Sequence, residues 1–489
     1  MITFNNIPPT IRTVGVFAEM DNSKALQGLL PNPHRVLILG QKTTGGNAEK
    51  EKVYPIASPA VADGYFGIGS LLARMCRTFK LNNPNTELHA LAMSDASCTG
   101  MASGCITFAG SATADGNFFL MLGGAGITVP IASGWSAADI ASATASNIQQ
   151  YPQLCMTASL VTSTVVLKAL DSGLCGNDYD VRANYFAGQS NPTGITPTIS
   201  ALEGGVGSPN IAGVWAVIDG EQYHHIIQAY TDAGTLDSLE DELEDRYGPL
   251  IALQGFGYTA MRGTAASCTT LGNQRNSPHN AIMGVYDSPM GPEIWAAAIG
   301  AVCAGALNAD PGRPVQTLKL RGVLPPPELN RFVRAERDIL LYDGISTYTV
   351  DSGGRVQLEQ MITTYQKNAL GDPDGSYLYI NILFLLMEIR YQWVSRMGSR
   401  FIVQRYKLAD DTFPVQPGSF VATPKTVKQE TIALFAELYQ AGYIDKLDDF
   451  IKNIIVQRDQ TNVNRVNALL PVDLINQFQI LAGKIQFIL

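Results

Sequence analysis

The sequence predicts an α+β multidomain protein. An α/β core domain is interrupted by a β-rich insert and followed by a C-terminal α+β domain, with extended N- and C-terminal arms. Three observations carry this expectation. A βαβ-like pattern opens near residue 35, stops near residue 95 and resumes near residue 208. Residues 95 to 207 are rich in Gly, Ala, Ser and Thr, and hold two basic residues, Lys168 and Arg182, against seven acidic ones. The last residues, Ile485, Phe487 and Leu489, alternate with Lys484, Gln486 and Ile488, the period of a strand. The expected boundaries are an arm over 1–34, a discontinuous core over 35–94 and 208–375, an insert over 95–207, a C-terminal domain over 376–478 and a terminal strand over 479–489.

In chain order, Pro8, Pro9, Pro31 and Pro33 exclude helix from the first arm, where Val14, Val16 and Phe17 have little local context to pack on. Val36 to Gly40 is a continuous apolar run, a buried strand. Asp63 to Lys80 reads as an amphipathic helix through Leu71, Leu72, Met75 and Phe79, and His89 to Met93 as the next strand. The insert offers strands at 105–109, 118–122, 127–131, 154–159 and 164–170, with one helix after the N-cap Ser136. The α/β pattern returns at the apolar run Val214 to Ile218. A helix follows from Leu236 to Tyr247, with Leu236, Leu239 and Leu243 on one face and Asp237, Glu240, Asp241, Glu244 and Asp245 on the other. That acidic face is either solvated or meets a basic partner. Pro292 to Leu307 is an Ala-rich helix suited to close packing, and Leu324-Pro325-Pro326-Pro327 a stiff connector. The last domain holds an apolar helix ending at Gly398, a strand over 401–406, a helix from Thr426 to Gly442, a short helix through Leu447 and Phe450, and a strand over 454–456. The terminal strand closes a sheet of its own domain or adds to a neighbour's sheet, because an unpaired apolar strand exposes both backbone and side chains.

Composition narrows the function. The chain is 46% hydrophobic and 16% charged, against about 25% charged in an average domain. A surface so short of charge suits a protein covered by other chains. The net charge of −9 argues against a primary role in nucleic-acid binding. No run of about 18 apolar residues is expected to insert in a membrane, the closest being Tyr377 to Met387, and no secretory signal is expected. The seven cysteines are odd in number, scattered and without a CxxC pair, which predicts reduced thiols.

Local motifs give little chemistry. Gly40 to Gly46 follows a buried strand but lacks the spacing of a phosphate loop. Gly123 to Gly126 reads as turn. The adjacent His224 and His225, with Glu221 nearby, are read as part of a helix near a domain surface rather than as a metal site. No GxSxG, HExxH or SxxK occurs. No enzyme activity and no cofactor are expected.

Longer blocks carry a resemblance. They include Phe4 to Pro8, Asp21 to Ser23, Val36 to Gln41, Glu242 to Pro249, Leu271 to His279 and Met283 to Tyr286. Further blocks are Arg334 to Arg337, Leu341 to Asp351, Arg458-Asp459, Asn464 to Pro471 and Ile485 to Leu489. In this order they resemble the contractile tail sheath proteins of Mu-like bacteriophages. The resemblance implies a structural subunit that polymerises as stacked hexameric rings around a tail tube and contracts to drive the tube through the host envelope. It implies strand exchange between subunits, here through Val14, Val16, Phe17, Ile485, Phe487 and Leu489. It places the insert outside and the C-terminal domain against the tube, where Lys425, Lys428, Lys446 and Lys452 are candidate tube-facing residues. The acidic residues 237, 240, 241, 244 and 245 are candidates for a contact between subunits. The implied partners are the chain itself, the tail tube protein, and baseplate and tail terminator proteins, in a virion tail assembled in the host cytoplasm. Another oligomeric virion shell or tube protein, or a cytosolic nucleotide-binding α/β enzyme, remains an alternative at this point.

Overall fold

The computed structural model describes residues 13–15, 28–416 and 419–488, so Val16, Phe17 and Leu489 lie outside the described residues. The chain divides into two units within the helix Ile380–Met397. One holds Pro33–Met387 with residues 476–488, and the other residues 28–32 with Glu388–Ile475.

The larger unit is built on an eight-stranded mixed sheet. Its order is Val356–Gln360, Ile345–Val350, Asn280–Val285, Phe256–Arg262, His225–Ile227, Arg35–Gly40, Glu87–Ala92 and Val53–Pro55. The six inner strands are parallel, and each edge strand is antiparallel to its neighbour. The inner strands are nearly continuous apolar runs because helices cover both faces. A Cβ on Gly257 would meet Leu239 of the helix Ala233–Tyr247 at 2.9 Å, while Tyr258 and its strand neighbour Ile227 pack against Gly300 of the helix Pro292–Ala309. Adjacent strand residues point to opposite sides, so these two helices lie on opposite faces. Against the expectation that no such run exists, Pro292–Ala309 is long and apolar enough to cross a bilayer by length and composition, and 72% of it is buried inside the protein. Its alanines and Gly300 serve close packing on the sheet.

The expected helix over 63–80 is two helices, Pro59–Phe66 and Leu71–Asn82. Gly67 and Gly69, at φ +88° and +83°, turn the chain between them. The expected return of the sheet at Val214 is instead a helix, Ala212–Val217, and the inner strand is His225–Ile227. His225 is therefore a fully buried strand residue and not part of a surface helix.

Between Glu87–Ala92 and Ala212–Val217 the chain makes two further sheets. One orders Ile195–Glu203, Ser103–Gly110, Thr164–Ala169 and Met156–Val161; the other orders Ala125–Ile131, Gly116–Leu122 and Val181–Ala183. The helix Ala137–Ile148, opened by a Ser136–Asp139 capping box, shares their separate hydrophobic core through Ile140 and Ile148. The outgoing and returning chains pair at Ser94–Asn210 and Gly100–Val206.

Two polar clusters bind these sheets to the main sheet. In the first, Asp171 accepts hydrogen bonds from Tyr179 Oη (2.7 Å) and from the backbone N of Leu71 (3.1 Å). Arg74 pairs with Glu293 at 2.6 Å, lies 3.9 Å from Asp171 and stacks over the Tyr179 ring at 4.7 Å. In the second, Asp180 pairs with Arg182 at 2.5 Å and Arg262 at 2.7 Å, while Asp287 pairs with Arg182 at 2.9 Å.

The smaller unit centres on the helix Pro424–Gln440, which buries Leu434, Phe435 and Leu438 against Ile389, Ile444 and Phe450. Phe435 and Phe450 stack at 4.0 Å. Arg396 joins this helix through Glu430 (2.7 Å) and Glu437 (3.2 Å). Gln392 receives Leu30 N at 2.9 Å and donates to Leu30 O at 2.7 Å, which fixes the base of the N-terminal arm. The strand expected over 401–406 is a π-helical turn, Gly398–Ile402, continuing the preceding helix. The strand that follows is only Lys407–Leu408.

Candidate functional site: terminal segments and charged surfaces

In the smaller unit, Ile455–Arg458 and Val466–Leu469 form a two-stranded antiparallel sheet. Val456 packs on the unit's core, while Ile455 and Leu469, paired opposite each other, are 50% and 60% exposed. Among the described residues no third strand joins either edge. Two strands alone are marginal in water, and an open apolar edge invites pairing.

The hairpin is nevertheless held ready by its tip. The Asp459 carboxylate accepts hydrogen bonds from Thr461 N, Thr461 Oγ1, Asn462 N and Asn467 Nδ2, at 2.7 to 2.9 Å. These bonds hold its carboxyl well below the usual range, the Asn462 backbone contributing most. Arg458 completes the tip, donating to Val463 O at 2.7 Å and pairing with Asp410 at 2.8 Å. No motif announces this tip beyond the D-x-T-N spacing of an Asx turn.

The C-terminal segment belongs to the larger unit and forms no strand over residues 476–488. Phe478, Ile480, Leu481, Ile485, Phe487 and Ile488 are all 72–99% exposed. So many large apolar side chains in water are unfavourable unless something covers them. Val14 is likewise exposed.

The candidate tube-facing lysines differ in environment. Lys428 Nζ donates to Ile454 O at 2.8 Å, and Lys446 pairs with Asp473 at 2.6 Å. Lys425 and Lys452 are exposed. The acidic helix is partly engaged within its own unit. Arg275 pairs with Asp237 (2.5 Å) and Glu240 (3.4 Å), Asn280 donates to Glu240 (3.2 Å), and His279 meets Glu244 at 3.0 Å. Burial raises the Glu240 carboxyl, against the bonds from Asn280 and Arg275. Asp241 and Asp245 are exposed, one turn apart on the same face.

The chemistry that sequence reasoning missed is buried. His34 and His225 share a hydrogen bond of 3.0 Å, and His225 meets Tyr258 Oη at 3.1 Å. Burial holds both imidazoles well below their usual range. Among the described residues no group of His, Cys, Asp or Glu is placed to hold a metal ion. All seven cysteines are free thiols. Residues so far apart in sequence leave no local signal.

An open hairpin edge and a terminal segment of exposed apolar side chains are surfaces of the kind through which a structural protein joins other chains. The family comparisons agree with that class. The phage tail sheath protein central domain matches residues 204–364, and the phage tail sheath C-terminal domain matches residues 372–488. The Mu-like prophage FluMu tail sheath protein of Haemophilus influenzae is 38% identical over 488 residues, covering 100% of both chains. The chain belongs to the phage tail sheath family, and is a structural component of a contractile phage tail. Its fold is also that of the sheath tail protein from Desulfitobacterium hafniense (TM-score 0.50, 13% identity, 95% of this chain and 97% of that one). A chain of the anti-feeding prophage baseplate in contracted state is similar too (TM-score 0.50, 9% identity, 97% and 99% covered).

Proposed function

We propose that this chain forms stacked hexameric rings around a tail tube, and that its contraction drives the tube through the host cell envelope. The full-length match to a tail sheath protein carries this reading. The subunits are linked by strand exchange. The terminal segment bearing Ile485 and Phe487 adds to the open hairpin of a neighbour, together with the first arm bearing Val14, Val16 and Phe17. The exposure of Ile485 and Phe487, and the unfilled edges of Ile455–Arg458 and Val466–Leu469, support it. Backbone ladders suit this task because they hold while domains rotate. The insert decorates the outside. Lys425, Lys428, Lys446 and Lys452 belong to the unit that faces the tube, Lys425 and Lys452 being its freer cations. Tube, baseplate and tail terminator proteins are the partners, and assembly takes place in the host cytoplasm.

Deleting residues 480–489 tests the linkage. The truncated chain is expected to keep its denaturation midpoint, since the side chains of residues 480–488 are exposed, and to form no hollow cylinders under negative-stain electron microscopy where the full chain forms them. Cylinders from both chains would remove the terminal segment from the linkage.

A further inference from the structure

The larger unit carries a groove of about 760 Å³ between the end of the helix Leu71–Asn82, the end of Pro292–Ala309 and residues 313–321. Three cations line it, Arg313, Lys319 and Arg321, all exposed; Lys319 lies within reach of the Asp351 charge, and Asp310 is the groove's carboxylate. One wall of the groove is held by backbone pairing. Residues 317–320 pair with Val356–Gln360 through Thr317 N to Leu358 O (2.8 Å) and Leu320 N to Val356 O (2.9 Å). Leu320 points inward, so Lys319 and Arg321 both point outward. Asn82 fixes Arg321 through both backbone groups, at 2.8 and 3.0 Å.

A basic groove in a chain of net charge −9 has a complement in the same sequence. On the helix Ala233–Tyr247, Asp237, Asp241 and Asp245 form a stripe about 12 Å long, four residues apart. Arg275 neutralises only its first end. This helix and Pro292–Ala309 lie on opposite faces of the sheet, so no molecule can bring its own stripe to its own groove. Because the two surfaces lie on opposite faces of one molecule, the contact cannot be reciprocated about a two-fold axis, and it repeats into rings or open helices.

We propose that Arg313, Lys319 and Arg321 receive the Asp241–Asp245 stripe of a neighbouring copy, a contact that rests on the sheath reading above. It is electrostatic and partly hydrated, so it breaks and re-forms more readily than a strand ladder, and weakens with salt.

Charge exchange tests it, with cylinder formation read by sedimentation and electron microscopy. Arg313→Glu with Arg321→Glu, and separately Asp241→Lys with Asp245→Lys, are each expected to cut cylinder yield about tenfold or more, since each sets like charges together. All four substitutions in one chain are expected to restore it. Circular dichroism confirms that each variant is folded, as the residues are exposed. Unchanged yield in either pair, or loss without rescue in the quadruple variant, would overturn the contact while leaving the sheath reading intact. A wild-type chain that forms no cylinders at any salt concentration would overturn both.

Discussion

At the scale of single residues, Asp171 has more at stake than any exposed charge. It is fully buried in side chain and touches Tyr179, Leu71 and, at a distance, Arg74. Burial pushes its carboxyl up to about 6, the nearby Arg74 and the hydrogen bonds from Tyr179 and Leu71 pulling the other way. The folded carboxyl thus holds its proton more tightly than an unfolded one, at about 3.9. The protonated group therefore favours the fold below pH 4, and that contribution fades as the pH rises toward 6. Asp171→Asn keeps a neutral group of the same shape. The stability difference between wild type and this variant is expected to change between pH 4 and 6 and to be flat above it, measured by urea denaturation. Asp171→Ala removes a partner from a buried guanidinium and is expected to cost about 3–5 kcal/mol. Nothing in the sequence around Asp171 marks it, because of its partners only Tyr179 is near in the chain, while Leu71, 100 residues away, and Arg74 lie on a helix that packs on another sheet.

At the scale of elements, legibility followed periodicity. The runs Val36–Gly40 and 127–131, and the leucine stripe at 236, 239 and 243, were read at nearly their observed bounds because one face or both are buried and the pattern is long enough. Val214 to Ile218 failed for the opposite reason: five apolar residues fit a buried strand and a short packed helix equally well. At Phe401, apolar content suggested a strand where the preceding helix overruns its glycine as a π-turn. The terminal run alternates like a strand, but a ladder needs a second chain segment, which a single molecule's pattern cannot supply. Close helix packing was also invisible. In the helix Ala265–Asn273, a Cβ on Gly272 would overlap the carbonyl oxygen of Asp343, a backbone atom that cannot rotate away. Alanine is the better helix former by about 1 kcal/mol, yet Gly272→Ala is expected to destabilise by about 1–3 kcal/mol through overpacking. A lowered urea midpoint at unchanged m-value would show it.

At the scale of the whole molecule, the question is what the insert does for the polymer. Its outgoing and returning chains run side by side at Ser94–Asn210 and Gly100–Val206, so a short Gly-Ser linker can replace residues 95–209 without stretching the core. The insert has its own hydrophobic core, and its attachment to the main sheet includes polar clusters rather than apolar packing alone. Removal would leave Arg74 and Glu293 paired at 2.6 Å and open to water, where such a pair is tolerated. Arg262 and Asp287 would be rehydrated in the same way. The excised chain is therefore expected to fold, with a lower urea midpoint because Leu71 N, Gln41 and Arg74 lose partners. If the insert is an outer decoration, cylinders form at the wild-type length and salt dependence, only thinner in electron micrographs. A folded excised chain that no longer forms cylinders would place the insert inside the lattice, and the polar clusters at its base would then transmit force between subunits during contraction.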